Sequence, residues 1–179
     1  MIWKIANAVG YQLVWLISVV GAAHGSLYAG PVAAVVFASM VLGLGKQRQA
    51  DLRLLPLVLA IGLLVDSGWI ALGWLDYSAP WPSPQFAPAW IVGIWLAFSL
   101  TLNHSMAFFK GRYALAALFG AVGGPLAYWS ASHGLGAVHF DAPASTVLSG
   151  LCVGWAAMFP LLARISEYRV APEANAVSP

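Results

Sequence analysis

Asp66 is the only acid in an otherwise unbroken apolar run at residues 54–75, LLPLVLAIGLLVDSGWIALGWL. A lone carboxylate in the middle of hydrocarbon costs on the order of 2.5–3.5 kcal/mol. Asp66 must therefore face protein or water, and it is the first group to examine for ligand, proton or ion handling. At helical spacing, Gly62, Asp66, Trp69, Ile70 and Gly73 share one face. That face describes a cleft of small residues holding an acid and an indole. An acid hydrogen-bonded to a neighbouring helix would produce the same pattern.

The run at residues 88–109 carries further polar groups within LAFSLTLNHSMAFF. Read as one helix, it places Trp95, Ser99 and Asn103 in one i, i+4 row and Leu100, His104 and Phe108 in the next. Ser99, Asn103 and Gln12 would line a polar track, although interhelical hydrogen bonds worth about 0.6 kcal/mol each account for them equally well. His104 falls nearer the opposite membrane face from Asp66, so the two are not expected to pair.

Gly124-Pro125 interrupts the fifth apolar run and Gly30-Pro31 the second. Pro125 removes a backbone hydrogen bond and predicts a kink. Interrupted helices in corresponding positions of two inverted halves point to a transport site, and ordinary kinks are the plainer explanation. His24, His133, His139 and Asp141 fall outside the apolar runs and together offer nitrogen and oxygen ligands suited to zinc. The spacing H-x5-H-x-D is no established metal motif, and exposed loop histidines are the simpler reading. Cys152 is the only cysteine, which excludes a CxxC pair, a multi-cysteine metal site and an intramolecular disulfide. Ser149 lacks the glycine context of a GxSG serine nucleophile. Only His104 lies within a run, so no pair of haem ligands is available at bundle depth. No cofactor is predicted.

The elements that would position these groups are six apolar runs, at residues 5–23, 28–45, 54–75, 88–109, 113–132 and 145–163. Each is close to the ~20 residues that a helix needs to cross a bilayer. Lys4 precedes the first run. Lys46, Arg48 and Arg53 separate the second from the third, Lys110 and Arg112 the fourth from the fifth, and Arg164 and Arg169 follow the sixth. The other three connections contain no Lys or Arg. The positive-inside rule then predicts an all-α bundle of six transmembrane helices over residues 1–163, with both termini cytoplasmic. Residues 164–179 are expected to form a disordered cytoplasmic tail. Residues 1–23 could alternatively be a cleaved signal peptide, but Asn7, Gly10, Tyr11 and Gln12 interrupt its apolar stretch, and retention as the first span is expected.

A composition that is 61% hydrophobic and 8% charged leaves too little polar surface for a soluble globule. The basic residues are spread over four segments, so nucleic acid is not an expected partner. Six of the nine tryptophans, Trp69, Trp74, Trp81, Trp90, Trp95 and Trp129, fall toward the outer side. That suggests either an interfacial aromatic belt or an aromatic pocket opening outward. Small residues at Ala6/Gly10, Ala116/Gly120/Gly124 and Gly150/Gly154 predict close helix approach.

Residues 87–109 and 115–138 resemble a family of small bacterial inner-membrane proteins classed only as a domain of unknown function. The most specific pieces are Leu-Asn-His-Ser at 102–105 and Gly-Ala-x-Gly-Gly-Pro-Leu-Ala-Tyr at 120–128, with NAVGYQLVWL at 7–16 and residues 66–69 agreeing. The resemblance implies an inner-membrane location and no established activity. It also implies a genomic association with enzymes that modify unsaturated fatty acyl chains, including cyclopropane-synthase-like methyltransferases. In size and layout the chain is similar, by fold analogy alone, to the substrate-capture subunits of energy-coupling-factor vitamin transporters.

The leading expectation is a protein that binds a lipid or small amphiphile in an outward-opening, Trp-rich cavity. Asp66, Trp69, Trp95, Ser99, Asn103, His104, Gly124 and Pro125 are its candidate residues. Expected partners are membrane lipids and another inner-membrane protein or a second copy of the chain. The alternatives are a small-molecule transporter or its membrane subunit, and a metal-dependent lipid hydrolase built on His24, His133, His139 and Asp141.

Overall fold

Helices dominate because most of the chain is apolar and every backbone polar group in a membrane must find its partner within the protein. The structure, a computed structural model, describes residues 1–170, with side chains to Glu167. Six α-helices run in order: α1 (Ile2–Ala23), α2 (Ala29–Leu44), α3 (Arg48–Ala71), α4 (Ala89–Ser99), α5 (Tyr113–Trp129) and α6 (Ala144–Val170). Among the described residues, four segments are long and apolar enough to cross a membrane: Ile2–Ala23, Arg48–Ala71, Tyr113–Gly134 and Ala144–Glu167. Their outward residues are apolar, such as Leu64, Leu118, Val122 and Val153, whereas Asn7, Asp51, Asp66 and His104 are buried. Apolar outside and polar inside is the arrangement of an integral membrane protein.

Four sequence expectations change. The run at 88–109 is not one helix: α4 has 11 residues, roughly 16 Å, and α2 has 16, roughly 24 Å. α4 ends where nearby side chains take its last carbonyls: Ser99 Oγ donates to Leu96 O at 2.7 Å and Thr101 Oγ1, from the following turn, to Phe98 O at 2.6 Å. Residues 100–106 then form consecutive turns, buried from 100 to 104, before a 3-10 turn at Ala107–Phe109. The rows joining Ser99 to Asn103 and Leu100 to His104 and Phe108 therefore do not exist.

α3 begins at Arg48 rather than residue 54, so Asp51 sits in its first turn and is 0% exposed. An acid there is favoured by the helix dipole. Asp66 is thus not the only acid in a spanning helix. α6 continues as helix to Val170, into the stretch expected to be a disordered tail; residues 171–179 lie outside the described residues.

The fold is also not purely helical. Strands β1 (Leu75–Tyr77) and β2 (Val138–Phe140) pair antiparallel, with Leu75 opposite Phe140, Asp76 opposite His139 and Tyr77 opposite Val138. The ribbon lets two connections satisfy each other's backbone groups. Its alternation turns Leu75 and Tyr77 inward and Asp76 outward.

The helices form two packed groups. α1, α2 and α4 pack together, α5 packs extensively on α6, and α3 joins the groups by contacting both α4 and α6. Gly120 makes the α5–α6 approach possible, since a Cβ there would lie 2.3 Å from the Trp155 carbonyl oxygen. Gly120→Ala is expected to lower stability by about 1–3 kcal/mol through overpacking, read as a fall in the unfolding midpoint in detergent. An unchanged midpoint would contradict the backbone contact. The glycines of α6 serve differently: Gly150 lies against the Trp74 ring and Gly154 against Trp69. They make room for indoles rather than for a partner backbone.

Candidate functional site

Asp66 is the centre of the polar cluster that borders a cavity. It is 0% exposed and accepts three hydrogen bonds from three different elements. Tyr77 Oη of β1 donates to Oδ1 at 2.6 Å, Tyr128 Oη of α5 to Oδ1 at 2.5 Å, and Trp95 Nε1 of α4 to Oδ2 at 2.6 Å. A carboxylate is an acceptor only, and each of these neighbours is a donor. Burial, and then the adjacent Asp66, push the Tyr77 hydroxyl well above its ordinary pKa, so it stays protonated as a donor.

Local sequence explains the convergence. Gly62, one turn before Asp66, leaves α3 bare where a Cβ would lie 2.2 Å from the Trp95 ring, so the indole lies across α3 and reaches the acid. Strand alternation turns Tyr77 inward, where it meets Trp90 edge-on at 5.8 Å. Trp90 Nε1 donates to Ser78 O at 2.9 Å.

Beside this cluster lies a cavity of about 350 Å³. α1 contributes Tyr11 and Trp15 to one wall, and α5 contributes Gly120, Gly123 and Gly124 to the other. Its floor is aromatic: Trp95 of α4 stacks on Trp155 of α6 with centroids 5.4 Å apart and planes 6° from parallel, and Phe98 meets Trp155 edge-on at 5.8 Å. Asp66 and Tyr128 also line it. The exposed lining residues are Gln12 on α1, Phe119 and Leu126 on α5, and Ser130 just after α5.

Of the expected residues, Asp66, Trp95 and Gly124 meet here. Pro125 lies inside α5, which remains helical through Trp129; the irregular turn comes later, as a π-helical turn at Ser130–Gly134. Trp69 stacks on Trp74 at 5.4 Å and lines a separate apolar groove between α3 and α6 with Leu64 and Leu161. Ser99 is turned onto its own helix. Gln12 reaches the cavity rim, but Ser99 and Asn103 do not line it, so the expected polar track is not assembled.

Asn103 and His104 belong to a second cluster, around Asp51. His104 Nε2 lies 2.8 Å from Asp51 Oδ2, and Asn103 Nδ2 donates to Asp51 Oδ1 at 2.9 Å. Lys110 Nζ donates to Asn103 Oδ1 at 2.7 Å and to Ser166 O at 3.4 Å. Burial lowers the Lys110 pKa, and the charges of Glu167 and Asp51 pull it back up. Trp3 Nε1 donates to His104 Nδ1 at 3.1 Å. An indole N–H can only donate, so Nδ1 is the acceptor and Nε2 carries the imidazole proton toward Asp51. Asn7 braces the adjoining turns: its Nδ2 donates to Leu100 O at 3.1 Å, and its Oδ1 accepts from Ser105 N at 3.2 Å and Ser105 Oγ at 2.7 Å. Both His104 nitrogens and both Asp51 oxygens are engaged within the protein, which makes this cluster a structural knot holding the broken end of α4.

Sequence reasoning missed Tyr77, Tyr128, Trp155, Asp51, Trp3 and Asn7. Tyr128 carried a signal, lying four residues after Gly124 on the same helical face. Asp51, flanked by Arg48 and Arg53, read as part of a solvated connection.

The four residues of the metal alternative do not assemble. Among the described residues no three His, Cys, Asp or Glu side chains gather into a metal-binding group. His24 folds back onto Val20 O at 2.8 Å, His133 stacks on Trp129 at 3.6 Å, and His139 lies 3.5 Å from Ser78 Oγ. Asp141 follows the end of β2.

The model of one protein family, described as "Protein of unknown function (DUF2878)", matches residues 4–161, and the chain belongs to that family. No curated protein matches the chain, and no solved structure does.

Proposed function

We propose that this DUF2878 chain is a six-span protein of the bacterial cytoplasmic membrane, with both termini cytoplasmic, that holds one membrane amphiphile between α1 and α5. α2 is short but apolar, and α4 followed by the buried turns extends the fourth crossing. Non-helical backbone is tolerated at membrane depth when protein encloses it, and Asn7 supplies that enclosure here. The Lys and Arg distribution gives the orientation.

One observation carries the binding reading: an aromatic and glycine-lined cavity of about 350 Å³ between two helices, α1 and α5, that are not among the closely packed pairs. Its exposed rim lies on helix flanks rather than in the outer connections, so the opening is lateral, toward lipid, instead of outward. An acyl chain can enter from the bilayer without crossing water. An accessory role in modifying membrane fatty acyl chains is compatible with such a cleft. The broken α4 favours a transporter as the second reading, because interrupted helices can form transport sites. The polar atoms around that break are paired with one another, which leaves fewer of them for a substrate than the cleft offers.

Gly123 supplies the test. A Cβ there would meet nothing closer than the Phe119 ring at 3.7 Å, so a leucine enters the cleft while helix propensity improves by about 1 kcal/mol. Native mass spectrometry of the gently solubilised protein is expected to show one stoichiometric amphiphile, lost in Gly123→Leu with the fold intact. A bare unaltered protein, or an adduct untouched by Gly123→Leu, would overturn the reading.

A further inference from the structure

Most indole N–H groups that point into this bundle have an acceptor: Trp3 uses His104, Trp90 uses Ser78 O and Trp95 uses Asp66. Trp155 does not. Its Nε1 is buried and has no acceptor among the described residues. A buried donor without a partner loses its hydration without replacement, and native interiors rarely leave one so.

The position of this N–H is given by its neighbours. A Cβ on Gly124 would lie 2.3 Å from Trp155 Cδ1, the ring carbon bonded to Nε1. The pyrrole edge of the indole therefore lies against the glycine wall of α5. Gly120, Gly123 and Gly124 all line the cleft there, and so does Trp155. Trp155 also borders the α3–α6 groove that Trp69, the other indole with an unpaired buried nitrogen, lines; it is the contact of its pyrrole edge with Gly124 that puts the N–H on the α5 side.

Charge narrows what can accept this hydrogen bond. The lining of the cleft contains one acid, Asp66, and no Lys, Arg or His. Desolvating an anionic head there would gain no cation and would meet a carboxyl group, an arrangement that is disfavoured. A neutral carbonyl attached to an apolar chain meets both requirements.

We infer that Trp155 is a ligand-binding residue, whose indole N–H takes the carbonyl oxygen of a neutral acyl ester with its chain lying in the α1–α5 cleft. This rests on the cleft-binding reading above and names its ligand class. A free fatty acid in its anionic form, or a phosphate-bearing head, stays outside the cleft.

Three probes of equal chain length test the assignment by native mass spectrometry on delipidated protein: a monoacylglycerol, its 1-alkyl ether analogue without the carbonyl, and the free fatty acid at neutral pH. The unaltered protein is expected to bind the ester roughly fivefold more tightly than the ether, the effect of one ordinary hydrogen bond. The fatty acid should bind weakest. Trp155→Phe keeps a ring against Trp95 and should erase the ester preference, bringing the ratio of ester to ether affinity to about one. Equal binding of ester and ether by the unaltered protein overturns the role of Trp155 but leaves the cleft reading standing. This comparison needs no variant, so it decides even if Trp155→Phe fails to fold. Fatty acid bound as tightly as the ester overturns the neutral-ligand assignment. Binding of none of the three overturns the cleft reading itself.

Discussion

Asp66→Ala is expected to destabilise the protein by about 3–5 kcal/mol, the range for leaving a buried polar constellation without one partner. The loss comes from three buried donors at once, Tyr77 Oη, Tyr128 Oη and Trp95 Nε1, each deprived of its acceptor. An unsatisfied buried donor costs about 1–3 kcal/mol, and local collapse around the vacated side chain recovers part of the sum. Asp66→Asn should recover only some of the stability, because an amide presents N–H groups to a ring of donors. The measurement is the unfolding midpoint in detergent, followed by tryptophan emission, since Trp95 lies directly on the acid. A midpoint within error of the unaltered protein would show that the three short contacts do not hold α3, α4, α5 and β1 together. Because such a loss of fold would also empty the cleft, Asp66 variants do not test ligand binding, and Gly123→Leu is used for that instead.

The second large effect is at the other end of the same helix. Asp51 and Asp66 are 15 positions apart on α3, roughly 22 Å along its axis. Asp51→Ala removes the acceptor for His104 Nε2 and Asn103 Nδ2 and is expected to cost about 3 kcal/mol. His104→Ala should cost a comparable amount, since it strips Trp3 Nε1 of its acceptor as well. The decisive number is the coupling. Residues sharing one hydrogen-bond network show interaction energies of about 0.5–3 kcal/mol, so the double variant should be less destabilised than the sum of the single ones. Strict additivity would mean that the Asp51–His104 contact contributes nothing. α3 is thus held at both ends by buried acids, and it is the helix that contacts both packed groups.

Much of this was legible from composition and local pattern. Run length and apolarity show that the chain enters a membrane, because hydropathy is a sum over neighbouring residues and needs no knowledge of the fold. Asp66 was visible because a single acid among leucines and valines has no local means of satisfaction. Trp95 and Gly124 were found for similar reasons, one as an indole in an apolar run and the other through its spacing of small residues.

Tertiary structure decided the rest. The run is long enough for one helix through Phe109, and Ser99 and Thr101 can bond a preceding carbonyl inside a helix as well as at its end; the buried turns are settled by Asn7 reaching over from α1 and Asp51 from α3. Asp51 was hidden by its arginine neighbours, and its burial depends on His104 and Asn103 arriving from more than 50 positions away. Tyr128 meets Asp66 across 62 positions, and the β ribbon joins connections equally remote in sequence. Such pairings depend on which helices are neighbours and how each is rotated about its axis. Hydropathy is nearly indifferent to both, because lipid and a packed helix face are equally apolar; the choice falls to shape and hydrogen bonding between distant side chains.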